Sequence, residues 1–337
     1  MPKRAVEPSH QRGDAGRQVP EEEENGWDDR GSHCGTAQAT GAPPMLSQLV
    51  ANGLVQGCIY SLVALGFALV YNATRVFHVA HGAVFTFGAY AFYTLSSLAR
   101  WHPIAAAGAA ILAAGALGAF IELGVYAPLQ RKGDAALPSL LSSLGVYVLT
   151  VAGIALFFGN ESIYLATGIP NTIAFGSVRL TSWQVLAFGH GISILPLFVV
   201  FLRKTYLGIC LRAVRDNPVL AEVLGINSSL ARVLAVSLGS ALAGAAAILV
   251  GLDVGTDPHA GMSYVLIGAV AMIIGGVGTF GGPVAGGFLL ALVQSVIVWG
   301  LSVRWVEGGT FLILLLFLVL RPQGLIGRFR RVEEVMT

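Results

Sequence analysis

The residues of this sequence best placed to do chemistry are the ionisable side chains that interrupt long apolar stretches. An ionisable group deep in an apolar membrane helix is costly, so each one marks a candidate functional site. Three lie inside such stretches and two near their ends: His81, Glu122, His190, Arg75 and Asp253. They include no neighbouring carboxylate pair and no Asp, Glu and His series that would relay protons. The sequence therefore favours a transporter powered from elsewhere over a proton- or sodium-driven carrier.

A polar stripe runs along the first apolar stretch. Asn52, Gln56 and Tyr60 are four residues apart and share one helical face. This spacing predicts side chains that line a passage for a polar solute. The alternative is that they form hydrogen bonds to neighbouring helices.

No combination of residues predicts catalysis or a metal site. His78 and His81 are three residues apart, but no third ligand is nearby. Cys34, Cys58 and Cys210 are odd in number and far apart, which gives no disulfide framework or metal spacing. The acidic residues are too scattered for a lipid-modifying enzyme. No Gly-x-x-x-x-Gly-Lys-Ser/Thr loop is present, so any energy from nucleotide must come through another chain.

The loop at 203–232 contains a predicted short amphipathic helix. Asn217 is a good N-cap, Pro218 suits the first helical position and Gly225 suits the end. Apolar residues then recur at helical spacing: Val219, Leu220, Val223, Leu224 and Ile226. Such a helix would dock into a partner's groove. The alternative is a helix packed on the membrane surface.

Composition places these features in a membrane protein. The chain has 337 residues, 55% of them hydrophobic and 11% charged, with a mean hydropathy of +0.73. Soluble domains carry about 25% charged residues. Apolar stretches lie at 46–71, 76–99, 103–127, 138–158, 183–202, 232–252, 264–300 and 304–320. Since a crossing needs roughly 20 apolar residues, we predict an all-α integral membrane protein of about eight transmembrane helices.

Glycine shapes two parts of this bundle. The 264–300 stretch is too long for one crossing and is broken at 275–283, which predicts two segments. Small residues four apart predict close helix packing: Gly53, Gly57 and Ser61, and Gly278, Gly282 and Gly286. Two stretches are weakly similar: His81 is followed by Gly-Ala-x-Ala at 88–91, and His259 by Gly-Ala-x-Ala at 268–271. This similarity raises an inverted repeat as a further expectation.

Positive charge in short loops predicts the orientation. The loops at 128–137 and 203–232 and the C-terminal tail are rich in Arg and Lys, whereas 159–182 and 253–263 are not. The first three therefore belong in the cytoplasm, together with the C-terminus. The side of the N-terminus stays open. If residues 1–44 precede the bundle, 76–99 is the best candidate for a re-entrant hairpin.

The chain divides into three predicted regions. Residues 1–44, with a run of four Glu at 21–24, are typical of a disordered extension, or Met45 is the true start. Residues 45–328 form the membrane domain. Residues 329–337 form a cytoplasmic tail.

Four ordered motifs carry a resemblance that covers residues 46–328. The stretch Gly57–Tyr71, followed by Ala80-His81-Gly82 and Gly88-Ala89-Tyr90, resembles the start of branched-chain amino-acid ABC transporter permeases. The loop around 212–226 resembles the ATPase-coupling loop of these permeases, and the glycine-rich stretch 275–287 resembles their glycine segment. The C-terminal sequence Arg321-Pro-Gln-Gly-Leu-Ile-Gly327 resembles their C-terminal signature. Within the family the chain is similar to the shorter, LivH-type subunit.

The resemblance implies the rest of the machine. It implies the ABC importer permease fold, the bacterial inner membrane, a second homologous permease, two cytoplasmic ATPases and an extracytoplasmic solute-binding protein. The chain would bind lipid but no cofactor, no metal and no nucleic acid, and ATP would be used by its partners. The implied coupling residues are Arg212, Ala213, Asp216, Ala221, Glu222, Leu224, Gly225 and Ile226. The predicted path residues are Asn52, Gln56, Tyr60, His81 and Gly82. The residues predicted for the helix break and its packing are Gly275, Gly276, Gly278, Gly282 and Gly286.

The substrate is the least defined part of this expectation. His78 and Ala83 depart from the family pattern around His81-Gly82. Related permeases serve urea, short amides and other amino acids, which stay as alternatives to branched-chain amino acids. A stand-alone channel or secondary carrier is the alternative outside the family, and it would show flux without partners.

Overall fold

The computed structural model describes residues 44–131, 136–165 and 171–327. In chain order the elements are α1 Pro44–Thr74, α2 Ala80–Tyr93, α3 Pro103–Ile121, α4 Ala127–Gln130, α5 Ala136–Phe158, β1 Thr172–Phe175, β2 Val178–Thr181, α6 Ser182–Lys204, α7 Tyr206–Asp216, α8 Pro218–Val223, α9 Ser228–Asp253, α10 Ala260–Gly275, α11 Gly281–Gly300 and α12 Val306–Leu320. Residues 1–43 of the predicted extension, Lys132 and the predicted tail at 329–337 lie outside the described residues.

The predicted helical membrane fold is confirmed. Within the described ranges, seven helical segments are long and apolar enough to cross a membrane: Met45–Thr74, Pro103–Gln130, Leu137–Phe158, Ser182–Lys204, Ser228–Asp253, Gly281–Gly300 and Val303–Leu320. α10 is a shorter apolar helix of 16 residues. α1 is the central helix, because it packs against α6, α9, α10 and α11 and its residues from Leu62 to Val70 are buried.

The stretch predicted at 76–99 is a single helical run rather than a re-entrant hairpin. α2 begins at Ala80, and a π-helical turn at Thr94–Leu98 continues it. Gly82 lies within this helix without breaking it, and its missing side chain leaves room for the backbone of α10. A Cβ at Gly82 would lie 2.7 Å from the carbonyl oxygen of Gly261 on α10. The glycine therefore serves packing between helices rather than a turn.

A β-hairpin, absent from the predicted fold, marks one end of the bundle. β1 and β2 are antiparallel, with Phe175 opposite Val178, and Gly176 between them has a φ of +62°. α6 starts directly after β2 and ends at Lys204, before α7 and α8. The hairpin and α8 thus lie at opposite ends, which we call the hairpin end and the α8 end.

Two units of three helices each, α1 to α3 and α9 to α11, pack across each other as an inverted repeat. α1 packs on α10 and α11, and α9 packs on α2 and α3 in the same way. The units run in opposite directions, because α1 begins and α9 ends beside the hairpin. The contact between α1 and α9 is reciprocal. A Cβ at Gly66 would lie 2.6 Å from the Gly239 oxygen, and a Cβ at Gly239 would lie 2.6 Å from the Gly66 oxygen.

The predicted break separates α10 from α11. Gly276 and Gly278 have φ values of +113° and +86°, which other residues rarely adopt. The carbonyls freed at the end of α10 are satisfied by the chain after α12: the Leu325 amide donates to Ile274 O at 2.8 Å and the Ile326 amide to Gly275 O at 3.0 Å.

The two predicted small-residue sets differ in how well they pack. Gly57 and Ser61 pack on α11, where the Ser61 hydroxyl donates to the Val284 carbonyl at 2.9 Å. Gly282 and Gly286 are in close contact with α10. Gly278 does not pack, since nothing lies within 4 Å of its Cβ position. Its place in the spacing is explained by its positive φ in the break.

Candidate translocation cavity and coupling surface

A cavity of about 820 Å³ opens at the hairpin end. Its walls come from α1, α6, α9, α11, the start of α12 and the hairpin. The predicted polar stripe lines it, because Asn52, Gln56 and Tyr60 all face into it from α1. The structure thus brings these three side chains together on one polar surface.

A chain of hydrogen bonds closes the cavity within the bundle. The Tyr60 hydroxyl donates to Gln294 Oε1 at 2.7 Å, and Gln294 Nε2 donates to the Thr310 hydroxyl at 2.7 Å. Thr310 in turn donates to the Val306 carbonyl at 2.7 Å. All three side chains are buried. This series ties α1, α11 and α12 together at the base of the cavity.

A carboxylate is fixed in the cavity wall. Asp253, the last residue of α9, accepts hydrogen bonds from the Thr181 hydroxyl at 3.0 Å and from Gln184 Nε2 at 3.3 Å. Thr181 and Gln184 also form the capping box at the start of α6, which holds their side chains in place. Gln48 on α1 anchors the hairpin by a paired contact to the backbone of Arg179, at 2.7 and 2.8 Å.

His81 and Gly82 lie apart from this cavity, so the structure does not join them to the other predicted path residues. Both are buried where α2 packs on α1 and α10. The His81 ring contacts Phe67 and His78, with ring centroids 5.8 Å apart in each case. His78 Nδ1 lies 2.6 Å from the Tyr126 hydroxyl. Their burial places both histidines in the packed interior.

Glu122 pairs with a residue of α9. Its carboxylate is 1% exposed and lies 3.6 Å from the Arg232 Nε. Glu122 opens a π-helical turn, Glu122–Tyr126, that joins α3 to α4. The ion pair connects this turn to the first part of α9, which follows α8.

The α8 helix has the caps that the sequence predicts. The Asn217 side chain accepts from the Leu220 amide at 3.0 Å, Pro218 occupies the first turn, and Gly225 has a φ of +84°. One side of the helix is apolar and exposed. Its residues are Val219, Leu220, Val223 and Leu224, each between 55% and 77% exposed. We call these four residues the α8 patch.

The residues implied by the coupling motif divide between this surface and the interior. Asp216, Glu222, Leu224 and Gly225 are exposed. The others are half-buried or buried: Arg212, Ala213 and Ile226 are half-buried, and Ala221 is only 2% exposed. Ala221 packs towards the bundle, where the Ile226 amide donates to its carbonyl at 2.9 Å. It therefore supports α8 from the bundle side.

Arg215, at the end of α7, links α7 to two other parts of the α8 end. Its carbonyl accepts a hydrogen bond from Arg75, at the end of α1, at 2.9 Å. Its guanidinium pairs with Asp216 at 2.8 Å and lies 5.1 Å from the ring centre of Phe280, beside the glycine break. Arg215 therefore connects the α7–α8 segment to the end of α1 and to the break.

Comparison with known proteins identifies the family. Residues 49–320 match the family described as "Branched-chain amino acid transport system / permease component". The chain belongs to this family. It is a membrane-embedded permease of the ABC importer class and not an enzyme.

Relatives within this permease family match between 55% and 86% of the chain. The chain is 31% identical over 304 residues to the high-affinity branched-chain amino acid transport system permease protein BraD of Pseudomonas aeruginosa, across 86% of this chain and 98% of that protein. It is 27% identical over 302 residues to LivH of Escherichia coli, across 86% and 97%. It is also 31% identical over 198 residues, 55% of each chain, to the autoinducer 2 import system permease protein LsrC of Klebsiella pneumoniae.

Sequence reasoning missed parts of the permease cavity. Gln294 and Thr310 carry single polar groups in apolar helices, and a search for uncharged polar residues in such helices would have found them. Gln184 gave a detectable signal as well, because Thr181 and Gln184 have capping-box spacing. Asp253 was noted near a helix end, but nothing in its neighbours along the chain indicated that it faces a cavity.

Proposed function

We propose that this permease forms half of the path by which branched-chain amino acids enter the cell, and that the α8 patch docks a cytoplasmic ATPase. A second homologous permease completes the path. A solute-binding protein delivers the substrate at the hairpin end, and the two permeases together engage two ATPases. The observation that carries the proposal is the arrangement of a polar cavity at one end and an exposed apolar helix at the other.

The distribution of charge supports the orientation. The described basic residues of the α8 end are Arg75, Arg131, Arg203, Lys204, Arg212, Arg215, Arg232 and Arg321, and those of the hairpin end are Arg100, Arg179 and Arg304. Positive charge is retained in the cytoplasm. The α8 end therefore faces the cytoplasm, where ATPases are found, and the cavity opens to the outside.

The size of the α8 patch suits a docking helix. Burying one Val or Leu side chain contributes about 1.5–3 kcal/mol. Four side chains that pack into one groove would anchor the ATPase. The caps at both ends of α8 keep the helix rigid when the ATPase moves against it. The alternative is that the α8 patch inserts into the lipid headgroup region as part of a membrane-surface helix.

Co-purification of the assembled transporter tests this function. A charge placed in the α8 patch by Val223→Asp should lower ATPase co-purification about tenfold or more, since each 1.4 kcal/mol is tenfold in affinity. Tyr164→Asp, at a similarly exposed position on the hairpin end (69% against 77% for Val223), is the matched control and should leave co-purification unchanged. Unchanged ATPase binding by Val223→Asp would contradict the docking role.

Uptake by proteoliposomes tests the substrate. The complete transporter should accumulate leucine, isoleucine and valine only when ATP is supplied to the ATPase side. Urea, short amides and autoinducer 2 belong in the same panel, because related permeases serve other solutes. Substrate flux through the purified chain alone would instead support a channel or secondary carrier.

A further inference from the structure

We propose that Asp253 and Arg179 form a two-charge subsite in the cavity that binds the ammonium and the carboxylate of a zwitterionic α-amino acid. The inference rests on the proposed function and extends it to named specificity residues. It also distinguishes amino acids from urea and other uncharged amides as solutes of this cavity.

Asp253 is a carboxylate without a cation. Its two oxygens accept hydrogen bonds from Thr181 and Gln184, which are both uncharged, and no basic group of the described chain pairs with it. It also stands at the C-terminal end of α9, where the helix dipole adds negative potential. A half-buried carboxylate held in this way attracts a cation, and the ammonium of an amino acid is one that the cavity can admit.

Arg179 is a cation without an anion. It lines the same cavity, and its guanidinium makes no hydrogen bond or ion pair with any residue that the structure describes. Its backbone is held on both sides by Gln48, at 2.7 and 2.8 Å, so the base of the side chain is fixed while the head is free. A free guanidinium is well suited to a carboxylate, because its fork of donors matches the two oxygens.

The hairpin places the two charges side by side. Arg179 and Thr181 are two residues apart on β2, so their side chains leave the same face, at a spacing of about 7 Å. Thr181 donates directly to Asp253, which brings the carboxylate to this face. Arg179 and Asp253 nevertheless do not pair with each other among the described ion pairs. The gap between opposite charges is the place for a molecule that carries both.

The rest of the cavity suits an aliphatic side chain. Its wall beyond the polar stripe is formed by Val55, Val298, Trp299 and Val306. A solute that placed its charges against the hairpin and α9 would direct its side chain towards this apolar surface. An uncharged amide would leave both charges without partners, which is the less favourable arrangement.

Cysteine protection in the assembled transporter tests the subsite directly. The background is the full chain with Cys34, Cys58 and Cys210 replaced, and the reporter is Ser295→Cys in the cavity wall. Leucine should slow maleimide labelling of the reporter in proteoliposomes. Isocaproate, which lacks the ammonium, and isoamylamine, which lacks the carboxylate, should each require about tenfold higher concentration, because each loses one charge-assisted contact.

Substitutions complete the test. Asp253→Asn and Arg179→Gln should each raise the leucine concentration for half-protection about tenfold. The matched controls are Glu161→Gln and Arg304→Gln, which remove charges from the same end outside the cavity lining, and they should change it less than about twofold. Equal protection by the three compounds, or unchanged leucine protection in both cavity variants, would overturn the subsite. Failure of the proposed function would appear separately, as absence of ATP-dependent uptake by the unmodified transporter.

Discussion

The crossing of α1 and α9 at Gly66 and Gly239 predicts a sharp difference between two Gly→Ala variants. At Gly66 the added Cβ would lie 2.6 Å from the Gly239 carbonyl oxygen and 3.4 Å from Cε1 of His81. The oxygen is backbone, so relief requires the two helices to separate. At Gly108, on α3, nothing lies within 4 Å of the new methyl group.

The magnitude follows from two terms. Ala is favoured over Gly in a helix by about 0.8–1.0 kcal/mol, and both variants gain this amount. Overpacking costs about 1–3 kcal/mol and applies only to Gly66→Ala. The variants should therefore differ by about 1–3 kcal/mol, with Gly108→Ala the more stable.

Reversible unfolding in mixed micelles, followed by tryptophan fluorescence, measures this difference in free energy. Because the helix-propensity term cancels between the variants, the comparison isolates the close approach of the helices. If Gly66→Ala were as stable as Gly108→Ala, the reciprocal glycine contact would not hold the two repeats together.

Three further predictions concern polar contacts. Arg232→Gln should destabilise the bundle by about 3 kcal/mol or more, because it leaves the buried Glu122 carboxylate unpaired. Glu122→Gln should destabilise it less, and equal unfolding free energies of the two single variants, measured beside the double variant, would contradict this. Gln294→Leu should lower the free energy of unfolding by about 1–2 kcal/mol, because Tyr60 and Thr310 lose their shared partner. Adding Tyr60→Phe to Gln294→Leu should then lower the unfolding midpoint no further. Asn217→Ala should cost α8 about 1 kcal/mol through loss of its N-cap and reduce ATP-driven uptake at unchanged membrane abundance; full uptake would show that α8 does not need its cap.

Local patterns allowed much of the bundle to be predicted. Apolar length located the membrane segments, and Asn217, Pro218 and Gly225 defined α8 because caps act within a few residues of the chain. The break after α10 was also predictable, since Gly276 requires a φ that other residues rarely adopt.

Tertiary contacts explain what the sequence left undetermined. The sequence predicts His81 and Gly82 as path residues, but both are buried between helices, and Gly82 contacts Gly261, 179 residues away along the chain. Gly278 fits a packing spacing and yet serves the backbone. The hairpin was not predicted either, because its strands are short and largely exposed, and its position depends on hydrogen bonds from Gln48, about 130 residues away along the chain.

Docking of an ATPase on the α8 patch can be detected by site-specific photocross-linking. A photoreactive residue at Val223 in the assembled transporter should cross-link to the ATPase chain, whereas the same residue at Leu149, which is 74% exposed on α5, should cross-link to lipid or to no cytoplasmic protein. Cross-linking of Val223 only to lipid would show that α8 is a membrane-surface helix and that the α8 patch does not dock an ATPase.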